Sequence, residues 1–497
     1  MSNPLLSAVR HWQWRHPYVA VQRVLGILLM MFSVTMLTPV PVALLSHEPV
    51  HRFVDAFAVT IITGLLIWLP VRRQRADLRL RDGFLIVCSF WVVLGMFGCV
   101  PFLVGDSFGL SWTDAVFESM SGLTTTGSTV LSGLDAMPRG LLYYRQQLQW
   151  LGGMGIVVLA VAILPMLGVG GMQLYRAEMP GPVKDNKLTP RITETAKALW
   201  FIYLGLTLLC GLAYWLAGMS VFDAIGHAFS TVAIGGFSTH DASIAWFNNP
   251  LIEALAVAFM VLSACNFALH FAAWRSTSLM VYLRDPEAVG MVLILALVSV
   301  IAIVTLWLAG TYASFDTTVL KAVFQVVSTG TTTGFSSAPF SLWPSFLPVL
   351  LIFISFIGGC AASTAGGMKV IRVLLLVKQG QREVARLIHP AAEYPVKLGH
   401  RAVSGHVVEA VWGFFSIYVA LFAMMLLLLM AFGLDQVTAF SAVAACLNNL
   451  GPGLGEVAEN FASVPDPAKW VLVFAMLLGR LEIFTLLVLF TPTFWRR

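Results

Sequence analysis

The sequence predicts an all-α polytopic membrane protein of about ten transmembrane helices, in which two extra helices precede four helix–pore loop–helix repeats around a central pore. Composition is the first observation: 58% of the 497 residues are hydrophobic and 11% are charged, whereas a soluble domain carries about 25% charged residues. The second observation is a series of long apolar stretches. The third is a glycine-containing string that recurs four times.

Ten mostly apolar stretches reach the length of about 18 residues or more that lets a helix cross a hydrocarbon core of about 30 Å. Positive residues precede the first, but its apolar run is too long for a signal peptide and lacks a small-x-small cleavage site, so a retained helix is predicted. The predicted spans are residues 24–45, 53–70, 84–104, 141–167, 196–218, 251–273, 289–311, 347–376, 407–432 and 470–489. They divide the chain into two N-terminal helices (1–80) and pore repeats at 81–172, 190–275, 286–380 and 400–497.

The positive residues predict the orientation. With the N-terminus in the cytoplasm, 24 Lys and Arg residues flank the spans on the inner side and five flank them on the outer side. Cytoplasmic loops carry such an excess, so both termini are predicted to be cytoplasmic. The net charge of +5 follows from this bias and indicates no nucleic-acid partner. The six cysteines lie in apolar segments, with neither a disulfide framework nor a zinc spacing.

Four polar strings fall on the predicted outer side, each between two spans. They are TTTGST (124–129), AIGGFS (233–238), TTTGFS (331–336) and NNLGPG (448–453). Each follows a stretch of about a dozen residues that is too short to cross the membrane; these stretches are 112–123, 221–232, 320–330 and 436–447. The recurring order predicts one unit, used four times: helix, short re-entrant helix, extended strand, helix.

Physical chemistry limits what such a unit does. Non-helical backbone at membrane depth is tolerated where protein buries it or where it lines a water-filled path, because lipid offers no hydrogen-bond partners. Four extended segments around one axis would point carbonyl oxygens inward and replace the hydration shell of a cation. Glycine suits the central position, because a Cβ would penalise the φ values that carbonyl alignment requires. One such loop alone would be interpreted as a turn; four in register favour an ion filter.

Two further features stand out in the apolar sequence. Residues 358–367, GGCAASTAGG, are ten consecutive small residues, and adjacent glycines are a common site of a helix break; close helix packing is the alternative. Arg480 lies about ten residues into the last predicted span, where a charge must face protein or water. Glu482 is two residues away and points to the opposite face of a helix, so Arg480 needs another partner. A purely structural bond to a neighbouring carbonyl is the alternative.

The chain resembles the Trk/Ktr/HKT superfamily of cation transporters and, within it, the membrane subunit of the bacterial Trk potassium uptake system. The resemblance runs from the first helix to the last. Its motifs are QWLGGMGIVVLAVAILPMLG (149–168), KLTPRITETAK (187–197), GGCAASTAGGMKVIR (358–372), NNLGPG (448–453) and GRLEIFTLLVLFTPTFW (479–495).

The resemblance implies site residues. The potassium-binding filter would consist of Thr125, Thr126, Gly127, Ile234, Gly235, Gly236, Thr332, Thr333, Gly334, Asn449, Leu450 and Gly451. Glycine at all four filter positions implies potassium rather than sodium preference. The segment 358–367 resembles an intramembrane loop that closes the pore, and Arg480 would reach it. The implied gating residues are Gly358, Gly359, Gly366, Gly367, Lys369 and Arg480.

The resemblance also implies a setting. K⁺ would be the transported ion, with no organic cofactor in this chain. The protein would be a multi-pass homodimer in the bacterial inner membrane, regulated by a cytoplasmic NAD-binding partner of the TrkA type. The basic loops 184–197 and 378–401 are candidate docking surfaces, although the positive-inside bias alone also explains them.

Other functions stay open from the residues. They are a sodium-permeable or ion-coupled cation symporter of the same superfamily and a broken-helix secondary transporter. An enzyme is not expected, because the sequence shows no nucleophile with a base, no metal-ligand cluster and no phosphate-binding glycine loop. Asp114 and Asp223 are predicted to cap the short helices, and attraction of cations into the outer vestibule is the alternative. His227 and Lys321 are predicted to be packing or interface residues.

Overall fold

The protein is described by a computed structural model covering residues 18–74, 80–104, 109–158, 192–344, 346–399 and 401–496. Several sequence predictions concern residues outside these ranges: the first 17 residues, the end of the span 141–167, and the basic positions 184–191. Within the described ranges the protein is helical, apart from a two-residue hairpin formed by β1 (Lys397–Leu398) and β2 (Arg401–Ala402). The all-α fold class predicted from the sequence is confirmed.

Three helices form the N-terminal part: α1 (Val19–Thr35), α2 (Val40–Leu45) and α3 (His51–Trp68). α1 and α3 pack closely because glycines face each other across their interface. A Cβ added at Gly26 would lie 2.8 Å from the Trp68 Cβ, and one at Gly64 would lie 2.8 Å from the Met30 Cγ. The short side chains therefore fix the contact between the first two spans.

The order long helix, short helix, non-helical loop, helix then occurs four times. The first unit contains α4 (Leu80–Gly98), α5 (Val100–Leu103), α6 (Trp112–Leu123) and α7 (Arg139–Val158). The second contains α8 (Ile192–Leu216), α9 (Val221–Val232), α10 (Pro250–Ala264) and α11 (Phe267–Ser276), and α12 (Met280–Arg284) follows it. The third contains α13 (Pro286–Leu308), α14 (Phe315–Gly330), α15 (Leu347–Ser355) and α16 (Val370–Ile388). The fourth contains α17 (Gly405–Ala431), α18 (Gln436–Leu447), α19 (Asp466–Arg480), α20 (Phe484–Leu487) and α21 (Pro492–Trp495).

Fewer helices than ten qualify as uninterrupted spans in the described part of the chain. Six are long and apolar enough to cross a membrane, or up to eight if each of two bent pairs counts as one span. The predicted span 251–273 bends by 95° between α10 and α11. The predicted span 470–489 is not continuous either, because α19 ends at Arg480 and the chain bends by 110° before Phe484. Arg480 is thus the last residue of its helix and not an interior one.

The short helices form the core of the protein, and the long helices surround them. Most residues of α6, α9 and α18 are buried, whereas long helices expose leucines such as Leu66, Leu209 and Leu427. Each short helix begins at a capping side chain: Ser111, Ser220, Ser314 or Asp435. The prediction that Asp114 and Asp223 are the caps is therefore wrong. They lie three residues after the capping serines, whose hydroxyls accept from their backbone N–H groups and contact their carboxylates.

Candidate functional site

The four short helices end in the same way. In each, two backbone hydrogen bonds form a complete Schellman motif, in which the last N–H reaches back five residues. These long-reach bonds run from Thr126 to Ser121, Gly235 to Ser230, Thr333 to Ser328 and Leu450 to Ala445, each with an N···O distance of 2.8 Å. The chain therefore leaves each short helix in the same conformation at the start of its polar string.

The residue before each of these N–H donors has a left-handed backbone conformation. Glycine usually occupies this position, but here φ is 55° at Thr125, 54° at Ile234, 65° at Thr332 and 54° at Asn449. Positive φ is a genuine outlier for a β-branched residue such as threonine or isoleucine. Such strained backbone persists only where the surrounding structure imposes it, and it clusters at functional sites. The four equivalent outliers mark this region as a candidate site.

The four glycines of the polar strings lie two residues further on, and they define a closed ring. Each has a positive φ, and a Cβ on each would strike a carbonyl oxygen of the next string. A Cβ at Gly127 would lie 2.2 Å from the Gly235 oxygen, and one at Gly236 would lie 2.1 Å from the Thr333 oxygen. A Cβ at Gly334 would lie 2.0 Å from the Leu450 oxygen, and one at Gly451 would lie 3.0 Å from the Thr126 oxygen. We call strings 1 to 4 (124–129, 233–238, 331–336 and 448–453) together the four-loop ring.

Side chains link neighbouring members of the ring. The Asn449 amide donates to the Thr126 hydroxyl at 2.9 Å, and the Ser128 hydroxyl donates to the Gly451 carbonyl at 2.9 Å. Both bonds join the fourth string to the first. They close the ring by joining the last string of the chain to the first.

A buried ion pair that the sequence did not single out supports the outer ends of strings 1 and 2. Arg145 and Glu118 are 1% and 0% exposed, with 2.7 Å between the Arg145 Nε and a Glu118 oxygen. Glu118 also accepts from the Thr129 hydroxyl, and Arg145 donates to the Ser238 carbonyl at 3.3 Å. Two opposite charges inside one pore unit were the signal that could have identified this pair.

The small-residue segment forms a closed excursion between α15 and α16, which we call the intramembrane loop (356–369). Its two ends touch: a Cβ at Gly358 would lie 2.1 Å from the Gly366 oxygen, and one at Gly367 would lie 2.9 Å from the Gly358 Cα. φ is positive at Gly358, Ala362, Gly367 and Lys369. The prediction of a helix break here is confirmed, and glycine is required at the neck because two backbone segments meet there.

The intramembrane loop is bonded to the base of the four-loop ring. The Gly366 N–H donates to the Thr332 hydroxyl at 2.7 Å, and the Gly367 N–H donates to the Asn448 carbonyl at 3.0 Å. The Thr364 hydroxyl donates to the carbonyl of Val232, the last residue of α9, at 2.9 Å. The loop therefore contacts three of the four pore units next to the ring.

Arg480 joins the intramembrane loop to the first unit. One guanidinium nitrogen donates to the Thr364 carbonyl at 3.2 Å, and another donates to the Gly152 carbonyl on α7 at 2.7 Å. Its guanidinium carbon also lies 5.4 Å from the Trp91 ring centroid. The predicted contact with the loop is present. Glu482 instead pairs with Arg372 at the start of α16.

Lys369 and Glu287 hold the two ends of the intramembrane loop. The Lys369 ammonium donates to the Ala365 carbonyl. One carboxylate oxygen of Glu287, on α13, accepts from the Ala361 N–H at 2.7 Å and from the Ile371 N–H at 3.1 Å. Sequence reasoning missed Glu287, because an acidic residue in the first turn of a helix is ordinarily explained by the helix dipole.

A charged cluster lies above the ring. The His240 imidazole lies 2.5 Å from an Asp135 oxygen and 3.4 Å from an Asp223 oxygen, and it stacks on Trp246 at 3.7 Å. Burial lowers the pKa of His240, but hydrogen bonds to the two aspartates outweigh it and raise this pKa above its ordinary value. Burial raises the pKa of Asp223, but hydrogen bonds, first from His240, hold it below its ordinary value. The cluster thus favours charges of opposite sign.

The remaining polar residues have structural partners. His227 is fully buried between the Asp223 carbonyl and the Ser238 hydroxyl, each 2.9 Å from a ring nitrogen. Lys321 pairs with Glu253 at 2.6 Å. The prediction that His227 and Lys321 are packing residues agrees with these contacts.

Six or more membrane-length helices around a ring of four re-entrant loops define a polytopic membrane protein of the pore-loop class. The TrkH family model, described as a cation transport protein, matches residues 49–497. The chain belongs to the TrkH family.

Close relatives extend over nearly the whole chain. It is 59% identical over 478 residues to the Trk system potassium uptake protein TrkH of Halomonas elongata, covering 96% of this chain and 99% of that protein. It is 56% identical over 478 residues to the protein of the same name from Escherichia coli, with the same coverage. The crystal structure of the potassium transporter TrkH from Vibrio parahaemolyticus matches with a TM-score of 0.88 and 54% identity, covering 97% of this chain and 100% of that one.

Proposed function

We propose that this chain is the potassium-selective, ion-translocating membrane subunit of a potassium uptake system. The observation that carries the proposal is the four-loop ring, in which four strained helix ends bring backbone carbonyls of successive strings together. The names of relatives at 56% and 59% identity, each a Trk system potassium uptake protein, support potassium as the transported ion. We propose the corresponding division of the chain into two N-terminal membrane helices (1–80) and four pore units.

The proposed potassium site is the four-loop ring itself. Its carbonyls would replace the hydration shell of K⁺, and the C-terminal ends of the four short helices would add their negative dipoles. The proposed ligating segments are the three residues up to and including each glycine: 125–127, 234–236, 332–334 and 449–451. A side chain at any of the four glycines would narrow or distort the path, so glycine at all four favours K⁺.

The proposed gate is the intramembrane loop together with Arg480. The loop adjoins three pore units, and the Arg480 guanidinium donates to the backbone carbonyl of Thr364 within the loop. A guanidinium presents several donors in a fixed plane, which suits the binding of two carbonyls at once. We place Gly358, Gly359, Gly366, Gly367 and Lys369 in the same gate, because they form its neck and its attachment to α16.

The setting follows from topology and relationship. We place the chain in the bacterial inner membrane as a homodimer with both termini cytoplasmic, which agrees with the excess of positive residues on that side. A cytoplasmic NAD-binding regulatory subunit of the TrkA type would control it. Residues 378–401 are one candidate docking surface, where Lys378, Arg382 and Arg386 carry positive charge on the second half of α16.

Flux into liposomes tests the proposal. Purified protein should take up ⁸⁶Rb⁺ down its gradient without an obligatory exchanging or co-transported ion, and excess K⁺ should inhibit uptake far more than excess Na⁺. Uptake that requires an imposed proton or sodium gradient would favour an ion-coupled symporter of the same superfamily. Equal inhibition by K⁺ and Na⁺ would overturn the potassium assignment, and strict one-for-one exchange would favour a broken-helix secondary transporter.

A further inference from the structure

Strings 1 and 3 of the ring carry an internal brace that string 2 lacks. The Thr124 and Thr126 hydroxyls are 2.7 Å apart, and the Thr331 and Thr333 hydroxyls are 2.8 Å apart. In string 2 the equivalent residues are Ala233 and Gly235. No hydroxyl pair can therefore hold this string in place.

Gln149, from α7 of the first unit, occupies the corresponding space. Its side chain is fully buried. Its amide nitrogen donates to the Gly235 carbonyl at 2.6 Å, and its amide oxygen accepts from the Phe237 N–H at 3.0 Å. The two bonds hold string 2 on both sides of its ring glycine, Gly236.

Glycine at position 235 is explained by this side chain. φ is not positive there, so the backbone conformation does not require glycine. A Cβ at Gly235 would instead meet Gln149, whose Cδ, Oε1 and Nε2 would lie 2.4, 2.5 and 2.8 Å away. Gln149 and Gly235 thus form a complementary pair, in which the missing side chain of one residue makes room for the amide of the other.

We propose that Gln149 is a positioning residue for ion selectivity: it sets the carbonyl of Gly235 from the neighbouring unit and takes the place of the threonine pair. This inference rests on the proposed function of the ring. The Gly235 oxygen is the atom that adjoins Gly127 of string 1, so its position helps to fix the spacing between two strings. A carbonyl that is free to move inward would fit the smaller Na⁺ ion better and discriminate against it less.

Three variants test the inference by ⁸⁶Rb⁺ uptake and Na⁺ competition in liposomes. Gln149→Ala should retain uptake, while Na⁺ should inhibit it at about fivefold lower concentration. This is the size expected from losing the hydrogen bond to the Gly235 carbonyl, the one of its two bonds that holds a proposed ion ligand. Gly235→Ala should reduce uptake when Gln149 is present. The double variant Gln149→Ala/Gly235→Ala should recover uptake relative to Gly235→Ala, because the space is then free. This recovery tests the steric contact between the two residues, and the shift in Na⁺ competition of Gln149→Ala separates a role in selectivity from a merely structural one.

Gln147→Ala is the matched control. Gln147 lies on the same helix, is 4% exposed and donates to the Thr35 carbonyl of α1 at 2.8 Å, away from the ring. It should match the parent protein in Na⁺ competition, with any loss confined to thermal stability.

Two results would overturn the inference: equal Na⁺ competition in Gln149→Ala and Gln147→Ala, or equal effects of Gly235→Ala with and without Gln149. Gly127→Ser serves as the reference for the ring. If it changes Na⁺ competition and Gln149→Ala does not, the positioning role alone is wrong. If neither changes it, the proposed filter is wrong as well.

Discussion

The four-loop ring and the intramembrane loop are both glycine-containing interruptions among membrane helices, but different bonds hold them. Each string of the ring is fixed by a hydrogen bond to its own short helix five residues earlier, always at 2.8 Å. The intramembrane loop is fixed mainly by distant partners, among them Thr332, Asn448 and Arg480. The conformation in which each string leaves its short helix is therefore determined locally, whereas the intramembrane loop depends on its neighbours.

Because of this difference, we expect the intramembrane loop to move more easily than the four-loop ring. A single intramolecular hydrogen bond contributes about 1 kcal/mol, so each tether of the intramembrane loop can be broken at modest cost. Breaking them leaves the Schellman motifs of the ring unchanged, because those bonds lie within the short helices. We expect changes to the loop to alter the rate of flux and changes to the ring to alter selectivity.

Removing the intramembrane loop should have the largest effect on ion flux. Because Gly358 and Gly366 touch, deletion of residues 360–365 can join the neck with little displacement of α15 or α16. The deletion removes at least three tethers of the loop, those to Val232, Glu287 and Arg480. At about 1 kcal/mol each, their loss should raise ⁸⁶Rb⁺ flux without a regulatory partner by about a hundredfold. Potassium preference should persist. A folded deletion variant that conducts like the parent would contradict the proposal that the intramembrane loop is a gate.

Arg480→Ala should have the next largest effect. The substitution removes one charged hydrogen bond to the Thr364 carbonyl and one to the Gly152 carbonyl. Only the bond to the Thr364 carbonyl acts on the intramembrane loop itself. Since a hydrogen bond to a charged group contributes about 1.5 kcal/mol or more, the loss of this one bond should raise flux by about tenfold, with K⁺ over Na⁺ preference unchanged.

Arg480→Lys is the partner variant for this experiment, because it keeps the charge and loses the fork of donors. It should give an intermediate flux. Thermal stability is measured on the same preparations. Stable Arg480→Ala protein with unchanged or reduced flux would assign the arginine a structural role only.

Gly127→Ala tests the ring. Its Cβ would lie 2.2 Å from the Gly235 oxygen at a φ of +83°. The added Cβ should displace this carbonyl, at a cost of about the energy of one hydrogen bond, so K⁺ over Na⁺ discrimination should fall by several-fold. Na⁺ competition with ⁸⁶Rb⁺ uptake measures this change.

Gly133→Ala is the control for backbone strain. Gly133 has a φ of +73° in the same connection, but no atom lies within 4 Å of the added Cβ. Its discrimination should equal that of the parent. If both variants behave alike, strain and not the ring contact explains the effect of Gly127→Ala.

The pH dependence of the outer cluster gives the smallest expected effect. Because the folded-state pKa of His240 is raised, its ion pairs stabilise fully below about pH 6.5, and this contribution is lost as the pH rises through the raised pKa. The pKa of Asp223 is lowered, so its contribution is present above about pH 3.9 and is lost as the pH falls through the lowered pKa.

The melting temperature should therefore be slightly higher at pH 6 than at pH 9. The Asp135 side chain is half-exposed, and an ion pair with an exposed partner contributes less than about 1 kcal/mol, so the difference should be small. It should disappear in His240→Gln, with ⁸⁶Rb⁺ flux unchanged, because the cluster does not touch the intramembrane loop. An equal pH difference in that variant would show that another group is responsible.

The sequence predicted those parts of the molecule that local chemistry determines. The strings and their glycines could be located because each follows a short helix, although the third helix begins at Phe315 and not near residue 320. The bends after Ala264 and Arg480 could not be located, because both lie within apolar sequence of ordinary helix composition. Tertiary hydrogen bonds accompany both breaks. The Ala264 carbonyl accepts from the Cys360 N–H and the Phe267 N–H donates to the Ala362 carbonyl at the first break, and Arg480 binds the Thr364 carbonyl at the second.

Partnerships between distant residues were equally hidden from the sequence. Gln149 and Gly235 are separated by 86 positions, and neither residue type alone indicates a brace. Gln149 begins one of the motifs that carry the family resemblance, but its contact with Gly235 is visible only in the structure. The same holds for Glu287, which touches the intramembrane loop more than 70 positions away.

A ring built from one chain can be altered one quarter at a time. In an assembly of four identical subunits, a single codon change would appear on every side of the path at once, and any harm would be repeated fourfold. Here a change in string 2 affects one side only, and a neighbouring helix can compensate for it, as Gln149 does where hydroxyls are missing. The sequences TTTG, AIGG, TTTG and NNLG can therefore surround one path, and each can diverge in a series of separately tolerable steps.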